Sequence, residues 1–189
     1  MTVTEILALA AENYLEDEDV TASFTAFGLN AINDILQLEL PWEAIPEAQT
    51  DITAVADTWA SLPSDFMEII EIEYDDAFYT GGYDKRNTIV TGAFVQQIKF
   101  AEAGVYTVYY KQLPTRIATA GAGASTPAIH PAYHPVLAIG VAYKYYLNED
   151  ETDPRIGYYQ SMFTEKMHEI SLRLHTGRSN YGNEYKPVW

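Results

Sequence analysis

The chain has 189 residues, no cysteine and a formal net charge of −16 from 11 basic and 27 acidic residues. This length predicts one domain, or one domain with an insertion, and the lack of cysteine excludes disulfides, thiolate metal sites and cysteine nucleophiles. The negative charge argues against wrapping nucleic acid, because lysine and arginine supply the phosphate contacts on which that affinity rests. No apolar run approaches the roughly 18 residues of a membrane span, so we expect no membrane partner.

The charge is unevenly distributed along the chain. Residues 1–84 contain 19 acidic residues and no lysine or arginine, whereas residues 85–189 contain 11 basic and 8 acidic residues. A solubilising surface is the simpler interpretation. The alternative is that the acidic half of one copy faces the less acidic half of a neighbour. Such asymmetry suits head-to-tail contacts that close into a ring. Charge alone leaves both interpretations open.

The N-terminal part predicts two amphipathic helices. Thr2 and Glu5 fit a capping box at the start of a short helix. The acidic run 16–19 ends this helix, and we interpret it as a solvated turn because it lacks the alternating ligands and central glycine of a calcium loop. A second helix is predicted from about residue 20 to 40, with Pro41 terminating it. The apolar residues of its predicted face are Phe24, Phe27, Ala31, Ile35 and Leu38.

A strand-like pattern follows the second helix after a predicted linker, residues 42–49. Ile70, Ile72 and Tyr74 alternate with glutamates, which is typical of a half-buried strand. The predicted strand segments are 52–62, 70–74, 94–100 and 105–111. The last two of these predict a hairpin joined by residues 101–104.

Aromatic residues also occur in two segments that show no regular period. One is a predicted loop, residues 75–87, and the other is a predicted extended tail, residues 178–189. Exposed aromatic side chains are enriched at protein interfaces. The candidate interface residues are Phe78, Tyr79, Tyr83, Tyr181, Tyr185, Lys186 and Trp189. The tail either packs on its own body or docks on a partner.

The last long segment, residues 129–174, predicts two antiparallel helices. The first, from about Pro135 to Leu147, is apolar on nearly every side and therefore belongs in the middle of the fold. Asp153 predicts the N-cap of the second helix, and Gly177 predicts its end. The predicted apolar stripe of the second helix is Ile156, Tyr159, Phe163, Met167, Ile170 and Leu174. The tyrosines expected where the two helices pack are Tyr143, Tyr145, Tyr146, Tyr158 and Tyr159.

Three patterns could carry chemistry, and each has a simpler interpretation. His130 and His134 have the spacing of a two-histidine metal site, but a proline follows each, so we expect both in an extended segment before the helix. Glu165 and His168 form half of a di-iron motif that needs two copies, and we expect them on a solvated face. The Ala- and Gly-rich segment 118–128 has no lysine for a phosphate loop, and we interpret it as a mobile connection. We predict no catalytic residue, cofactor or metal.

The order of elements predicts an α+β fold that is mainly α, a helical bundle with an inserted small antiparallel β subdomain. The predicted boundaries are residues 1–50 for the N-terminal helices and 51–117 for the inserted β subdomain. Residues 118–177 form the predicted C-terminal helical hairpin of the bundle, and residues 178–189 form the extended C-terminal tail.

The chain from about Asp51 to Leu174 resembles the head–tail connector (adaptor, or head-completion) proteins of tailed bacteriophages. Leu62-Pro63-Ser64-Asp65-Phe66 runs into a strand, and the segment from Val105 to Pro114 ends the β section. The segment from Ile129 to Pro135 then leads to a buried helix, and a final amphipathic helix follows an Asp-Pro pair. The order of these pieces carries the resemblance, since no single piece is specific.

The resemblance implies a structural virion protein without catalytic site or cofactor. Members form a ring, generally a dodecamer, beneath the portal protein, extend the DNA channel without specific DNA binding and present a surface for the tail or stopper. The implied location is the virion neck, after assembly in the host cytoplasm. The inserted β section and the long tail depart from the compact helical members and are closer to connectors of short-tailed phages. The alternatives are another virion ring protein, such as a stopper or tail-completion protein, and a small carboxylate-using hydrolase.

Overall fold

The computed structural model describes residues 1–15, 19–74, 77–80, 87–91, 96–119 and 122–179, with side chains for 1–15, 19–74, 96–119 and 123–173. The chain divides into two compact units. The helical unit comprises Met1–Ala44 and Arg116–Trp189, and the β unit comprises Ile45–Thr115. The prediction of an α+β fold, mainly α with an inserted antiparallel β section, is confirmed.

The helical unit contains four α-helices in its described part. They are α1 (Val3–Tyr14), α2 (Ala22–Leu38), α3 (His134–Glu149) and α4 (Arg155–Ser179). Three short 3-10 turns accompany them, at Trp42–Ala44, Ala122–Ala124 and Pro131–Tyr133. The second of these turns lies within the segment predicted as a mobile connection.

The predicted capping box at α1 is confirmed. The Glu5 N–H donates to Thr2 Oγ1 at 3.3 Å, and the Thr2 N–H donates to Glu5 Oε2 at 2.8 Å. These two bonds satisfy two of the backbone donors that a helix leaves unpaired at its N-terminus. Helix α2 begins in a similar way, with the Phe24 N–H donating to the side chain of Thr21 at 3.2 Å.

The buried face of α2 differs from the predicted one at its end. Leu38 is 80% exposed, so its placement on the buried face was wrong. The buried side of the helix carries Leu29, Ile32 and Leu36 beside the predicted Phe24, Ala31 and Ile35. Leu38 lies at the margin of this side and in the last turn, which leaves it in solvent.

Helix α3 is the centre of the helical unit, as predicted, and packs against α1, α2 and α4. Leu137, Val141 and their neighbours on this helix are buried. The packing is closest at Gly140, where a Cβ atom would lie 2.5 Å from Ile35 Cδ1 and 2.9 Å from Phe163 Cε2. A residue without a side chain therefore allows two other helices to approach α3 at one level.

Helices α3 and α4 are antiparallel. The hydroxyls of Tyr133 and Ser171 lie 3.1 Å apart at one end of the pair. At the other end, the rings of Tyr146 and Tyr159 stack with centroids 5.5 Å apart. The short connector between the helices, which permits only a reversal of direction, accounts for this arrangement.

The start of α4 is as predicted, but its end is not. The Arg155 N–H donates to Asp153 Oδ1 at 2.8 Å, which is the expected capping interaction. The helix continues to Ser179, two residues beyond its predicted end at Gly177. A glycine inside a helix costs only about 1 kcal/mol, which neighbouring turns can offset.

The β unit contains seven strands in its described part, arranged as two antiparallel sheets. The strands are β1 (Glu47–Ala54), β2 (Trp59–Ser61), β3 (Phe66–Tyr74), β4 (Ala77–Thr80), β5 (Asn87–Thr91), β6 (Gln96–Phe100) and β7 (Gly104–Gln112). One sheet has the order β1-β7-β3-β4, and the other has the order β2-β6-β5. Strand β1 begins inside the segment predicted as a linker, and β4 lies inside a predicted loop.

The predicted hairpin between β6 and β7 is wrong in its pairing. Strand β7 pairs with β1 and β3, whereas β6 pairs with β2 and β5 in the other sheet. Residues 101–103 therefore carry the chain from one sheet to the other. The rings of Phe100 and Tyr106 stack with centroids 3.8 Å apart, and both residues belong to the core that the strands of the two sheets share. The two strands are therefore joined by the packing of these buried rings and not by backbone hydrogen bonds between them.

Strand β3 contains irregularities that its sequence does not reveal. Its register with β7 shifts between Phe66 and Glu68 and again between Ile69 and Glu71. Because each extra residue reverses the alternation of side chains, Ile69 is buried in place of the predicted Ile70, which is half-buried. Beyond the second shift Ile72 is buried, as predicted.

Candidate interaction surfaces

The candidate interface residues from the sequence lie mostly outside the described part. Tyr83, Tyr181, Tyr185, Lys186 and Trp189 all belong to residues that the structure does not describe. Phe78 and Tyr79 lie in strand β4 at an edge of the four-stranded sheet, and their side chains are not described either. An interface role for these residues therefore stays a prediction.

The tyrosines predicted between α3 and α4 are only partly found there. Tyr146 is buried and stacks on Tyr159, and the Arg155 guanidinium lies 4.1 Å from the centre of the Tyr146 ring. Tyr145 instead faces α2, where it meets the rings of Phe24 and Phe27 edge to face. Tyr158 is 64% exposed, so its expected place in the helix contact was wrong.

The two histidines have separate structural contacts. His130 Nδ1 accepts from the Ala132 N–H at 3.2 Å. His134 is buried at the first position of α3, where its Nδ1 lies 2.8 Å from the Met1 amino nitrogen and its Nε2 lies 3.3 Å from the Ile129 oxygen. Burial, and next the positive amino group, lower the pKa of His134 below its usual 6.5. The expected extended conformation at His134 was wrong, because these contacts hold the residue in the helix despite the following proline.

The other patterns considered for chemistry also have structural explanations. Glu165 and His168 are exposed on α4, as predicted. In the glycine-rich segment, the Val3 N–H donates to the Ser125 oxygen at 2.8 Å, and Thr4 Oγ1 donates to the Gly123 oxygen at 2.9 Å. The segment is therefore bonded to α1 at these positions. Among the described residues, no group of three His, Asp or Glu side chains could hold a metal ion.

Buried polar side chains that sequence analysis missed are satisfied by nearby backbone. Asn33 Nδ2 donates to the Ile117 oxygen at 3.0 Å, and the Ile117 N–H donates to Asn33 Oδ1 at 2.8 Å. In the β unit, buried Lys111 donates to the Ile45 oxygen at 3.0 Å and pairs with Glu47 at 3.1 Å. Because their polar atoms are paired, these side chains have a structural role. Their only signal in the sequence is a polar residue within an apolar stretch.

The described basic side chains are almost all engaged within the chain. Arg116 is the exception in the described part. The engaged pairs are Lys99 with the Trp59 ring, Lys111 with Glu47, Lys144 with Glu39, Arg155 with Asp153, and Lys166 and Arg173 with Glu169. Most described cations therefore have a partner within the chain that would compete with a phosphate for them.

The face of the four-stranded sheet opposite the core of the β unit carries acidic residues. Tyr109 lies opposite Glu71 in the register of β3 and β7, and its hydroxyl donates to Glu73 Oε2 at 2.9 Å. The hydrogen bond to Glu73 is the main cause that raises the pKa of Tyr109, followed by burial and by the charges of Glu73, Glu71 and Asp51. Asp51 in turn accepts from Thr107 Oγ1 at 2.7 Å.

A groove lies in the helical unit between α2 and the C-terminal end of α3, and we call it the α2–α3 groove. Its volume is about 460 Å³. Phe27, Ala31 and Leu147 form its apolar floor, and Leu147 is 39% exposed. The carboxylates on its rim are Asp34, Glu149 and Glu151. Sequence analysis did not identify this groove, although an exposed leucine at the end of an otherwise buried helix could have indicated it.

The comparisons with known proteins identify the class of the molecule. The family model that matches the chain is described as SU10 adaptor protein, and adaptors are structural proteins of phages. The match extends over residues 1–185, so the chain belongs to the SU10 adaptor protein family. No curated protein matches the chain.

Family membership confirms the resemblance to phage head–tail adaptors that the sequence showed. It also implies a place in the virion neck and contacts with other virion proteins. No helix in the described part of the chain is long and apolar enough to cross a membrane.

Proposed function

We propose that this protein is a head-to-tail connector that assembles as a ring, generally dodecameric, under the portal protein. The ring extends the DNA channel and provides the surface to which the tail or a stopper attaches. The match of the adaptor family to residues 1–185 carries this proposal. The protein works by contacts between surfaces, and no catalytic residue, cofactor or metal takes part.

The charge distribution supports passage of DNA without binding. Residues 1–84 contain no lysine or arginine, and the described basic side chains apart from Arg116 are engaged within the chain. We propose that the acidic half lines the channel, where it repels phosphates and lets DNA slide. A ring in which residues 1–84 lie wholly on the outer surface would contradict this.

The C-terminal tail is the proposed attachment segment. Its aromatic residues suit anchoring in a pocket of the portal or of a neighbouring subunit, with ordering on contact. Deleting residues 178–189 should leave a folded protein that no longer attaches to DNA-filled heads. Attachment of the truncated protein at the level of the full chain would contradict this role.

The ring can be tested with purified full-length protein and portal protein. We expect native mass spectrometry to detect one sharp species of ring size when the portal is present. A monomer in the absence of portal is compatible with the proposal, because the portal can template the ring. Portal capture of the chain separates a connector from a stopper or tail-completion protein, which would bind a different neighbour.

A further inference from the structure

We infer that the α2–α3 groove binds the end of the C-terminal tail, residues 185–189, of a second copy of this chain. This inference rests on the proposed ring and names the contact between its neighbouring subunits. The occupant follows from three observations, namely the chemistry of the groove, the chemistry of the tail and the distance between them.

The groove combines an apolar floor with an unpaired acidic rim. Phe27 and Leu147 are partly exposed on its floor. The rim carboxylates Asp34, Glu149 and Glu151 form no ion pair among the described residues, since the nearby Lys144 is paired with Glu39 at 2.5 Å. A volume of about 460 Å³ lies within the range of sites that enclose small ligands or large side chains. The groove therefore suits an apolar segment that carries positive charge.

The end of the tail has this composition. Residues 185–189 read Tyr-Lys-Pro-Val-Trp, with two aromatic residues, one lysine and no acidic side chain. Tyrosine and tryptophan are the residue types that most often anchor an interface in a pocket. The lysine complements the acidic rim, and Pro187 reduces the conformational freedom that the segment loses on binding.

The tail of the same copy is too short to place the whole segment, including Tyr185, in its own groove. Tyr159 stacks on Tyr146, one residue before Leu147 of the groove, and α4 then continues to Ser179. These 20 further residues extend about 30 Å along the helix away from the groove. Tyr185 lies six residues beyond Ser179 and can return at most about 21 Å. Trp189, ten residues beyond Ser179, can return at most about 35 Å, so the last residues can reach the groove of their own copy but Tyr185 cannot. The whole segment therefore fits the groove of a second copy, which gives a head-to-tail contact of the kind that closes a ring.

Disulfide trapping tests this contact in the full-length chain, which has no cysteine of its own. One variant carries Asn148→Cys beside the groove and another carries Val188→Cys in the tail. We expect a mixture of the two to form disulfide-linked dimers about tenfold or more above a control mixture with Glu165→Cys in place of Asn148→Cys. Glu165 is exposed on α4 and does not line the groove. Leu147→Asp should reduce the linkage, because it places a charge on the apolar floor.

A charge exchange provides a second, independent measurement. Lys186→Glu should weaken the cross-link, and Glu149→Lys on the opposite copy should restore it. A double variant with Asn148→Cys and Val188→Cys should form disulfide-linked oligomers of more than two subunits. An internal disulfide in a single copy, or linkage no greater than the Glu165→Cys control, would overturn the inference.

Native mass measured on the same samples separates this inference from the ring itself. A ring without the linkage between positions 148 and 188 overturns the tail contact alone, and leaves the portal as the partner of the tail. The linkage without a ring supports the contact and contradicts the closed assembly.

Discussion

The helical unit and the β unit differ in how the sequence specifies their elements. Helices α1, α2 and α4 each begin at a nearby capping side chain, such as Thr2 or Asp153, and pack on the central helix α3. In the β unit, by contrast, β1 pairs with β7 so that Glu47 lies opposite Lys111. Local signals therefore define where the helices begin, whereas pairing between distant segments defines the sheets of the β unit.

The cores of the two units also differ in the kind of side chain that fills them. The interior of the helical unit is mainly aliphatic around α3, with Leu137 and Val141 fully buried. The core of the β unit is held by stacked rings, with Tyr106 between Tyr74 and Phe100 at centroid distances of 4.4 and 3.8 Å. Substitutions in the two cores can test whether this difference affects stability.

The largest effect is expected when one buried ring is removed from each core. Phe100→Ala and Phe163→Ala should each lower the free energy of unfolding by about 3–5 kcal/mol. Phe100→Ala should be the more costly, because it also removes a ring stack worth about 0.5–1.5 kcal/mol. Urea denaturation measures both, and Tyr158→Ala, at a position 64% exposed, is the control. A loss for Phe163→Ala as small as that of the control would contradict the packing around α3.

The next effect concerns a contact in the helical unit that is not local. Asn33→Ala removes both hydrogen bonds to the backbone of Ile117, and should cost about 1–3 kcal/mol because two buried groups lose their partners. Asn30→Ala on the exposed side of the same helix should change the free energy of unfolding by about 0.5 kcal/mol or less. Equal effects of the two variants would show that the Asn33 pair adds nothing to stability.

A smaller effect tests a local signal. Thr2→Ala should cost about 1 kcal/mol, because the Glu5 N–H loses its side-chain acceptor. Thr2→Ser keeps an equivalent hydroxyl and should retain most of the stability. If thermal unfolding shows serine to be as harmful as alanine, the methyl group of Thr2 matters more than its hydrogen bond.

The last prediction is a change in the pH dependence of stability. A neutral His134 ring can accept from the Met1 amino group at Nδ1 and donate to the Ile129 oxygen at Nε2. Because its folded pKa lies below the usual 6.5, the unfolded chain binds the proton more readily. Its contribution to stability is therefore present above about pH 6.5 and is lost as the pH falls through the folded pKa.

Denaturation at a series of pH values measures this effect. His134→Gln should flatten the decline in stability just below pH 6.5. His168→Gln, at an exposed position on α4, should leave the decline unchanged. An unaltered decline in the His134 variant would mean that another group causes it.

The sequence predicted most of the helical unit because its signals are local. The capping box at Thr2, the cap at Asp153 and the apolar helix α3 depend on residues a few positions apart. The errors there were at margins, where Leu38 is exposed and α4 continues past Gly177. Only tertiary contacts decide such positions.

In the β unit β3, β6 and β7 could be predicted in part, whereas β4, β5 and the pairing of the strands could not. The alternation in β6 and β7 indicates strands, yet it does not say that they belong to different sheets. The register shift after Ile69 is likewise set by pairing with β7. For the same reason the α2–α3 groove could not be predicted, since Phe27 and Leu147 come together only when the helices pack.

The central claim is that this adaptor works as a ring of identical subunits around the DNA channel. A reconstruction of the neck of the virion tests it most directly. We predict a closed ring of this chain directly beneath the portal, with acidic side chains of residues 1–84 facing the channel. A neck in which this chain forms no ring, or in which that acidic half faces only outward, would contradict the account.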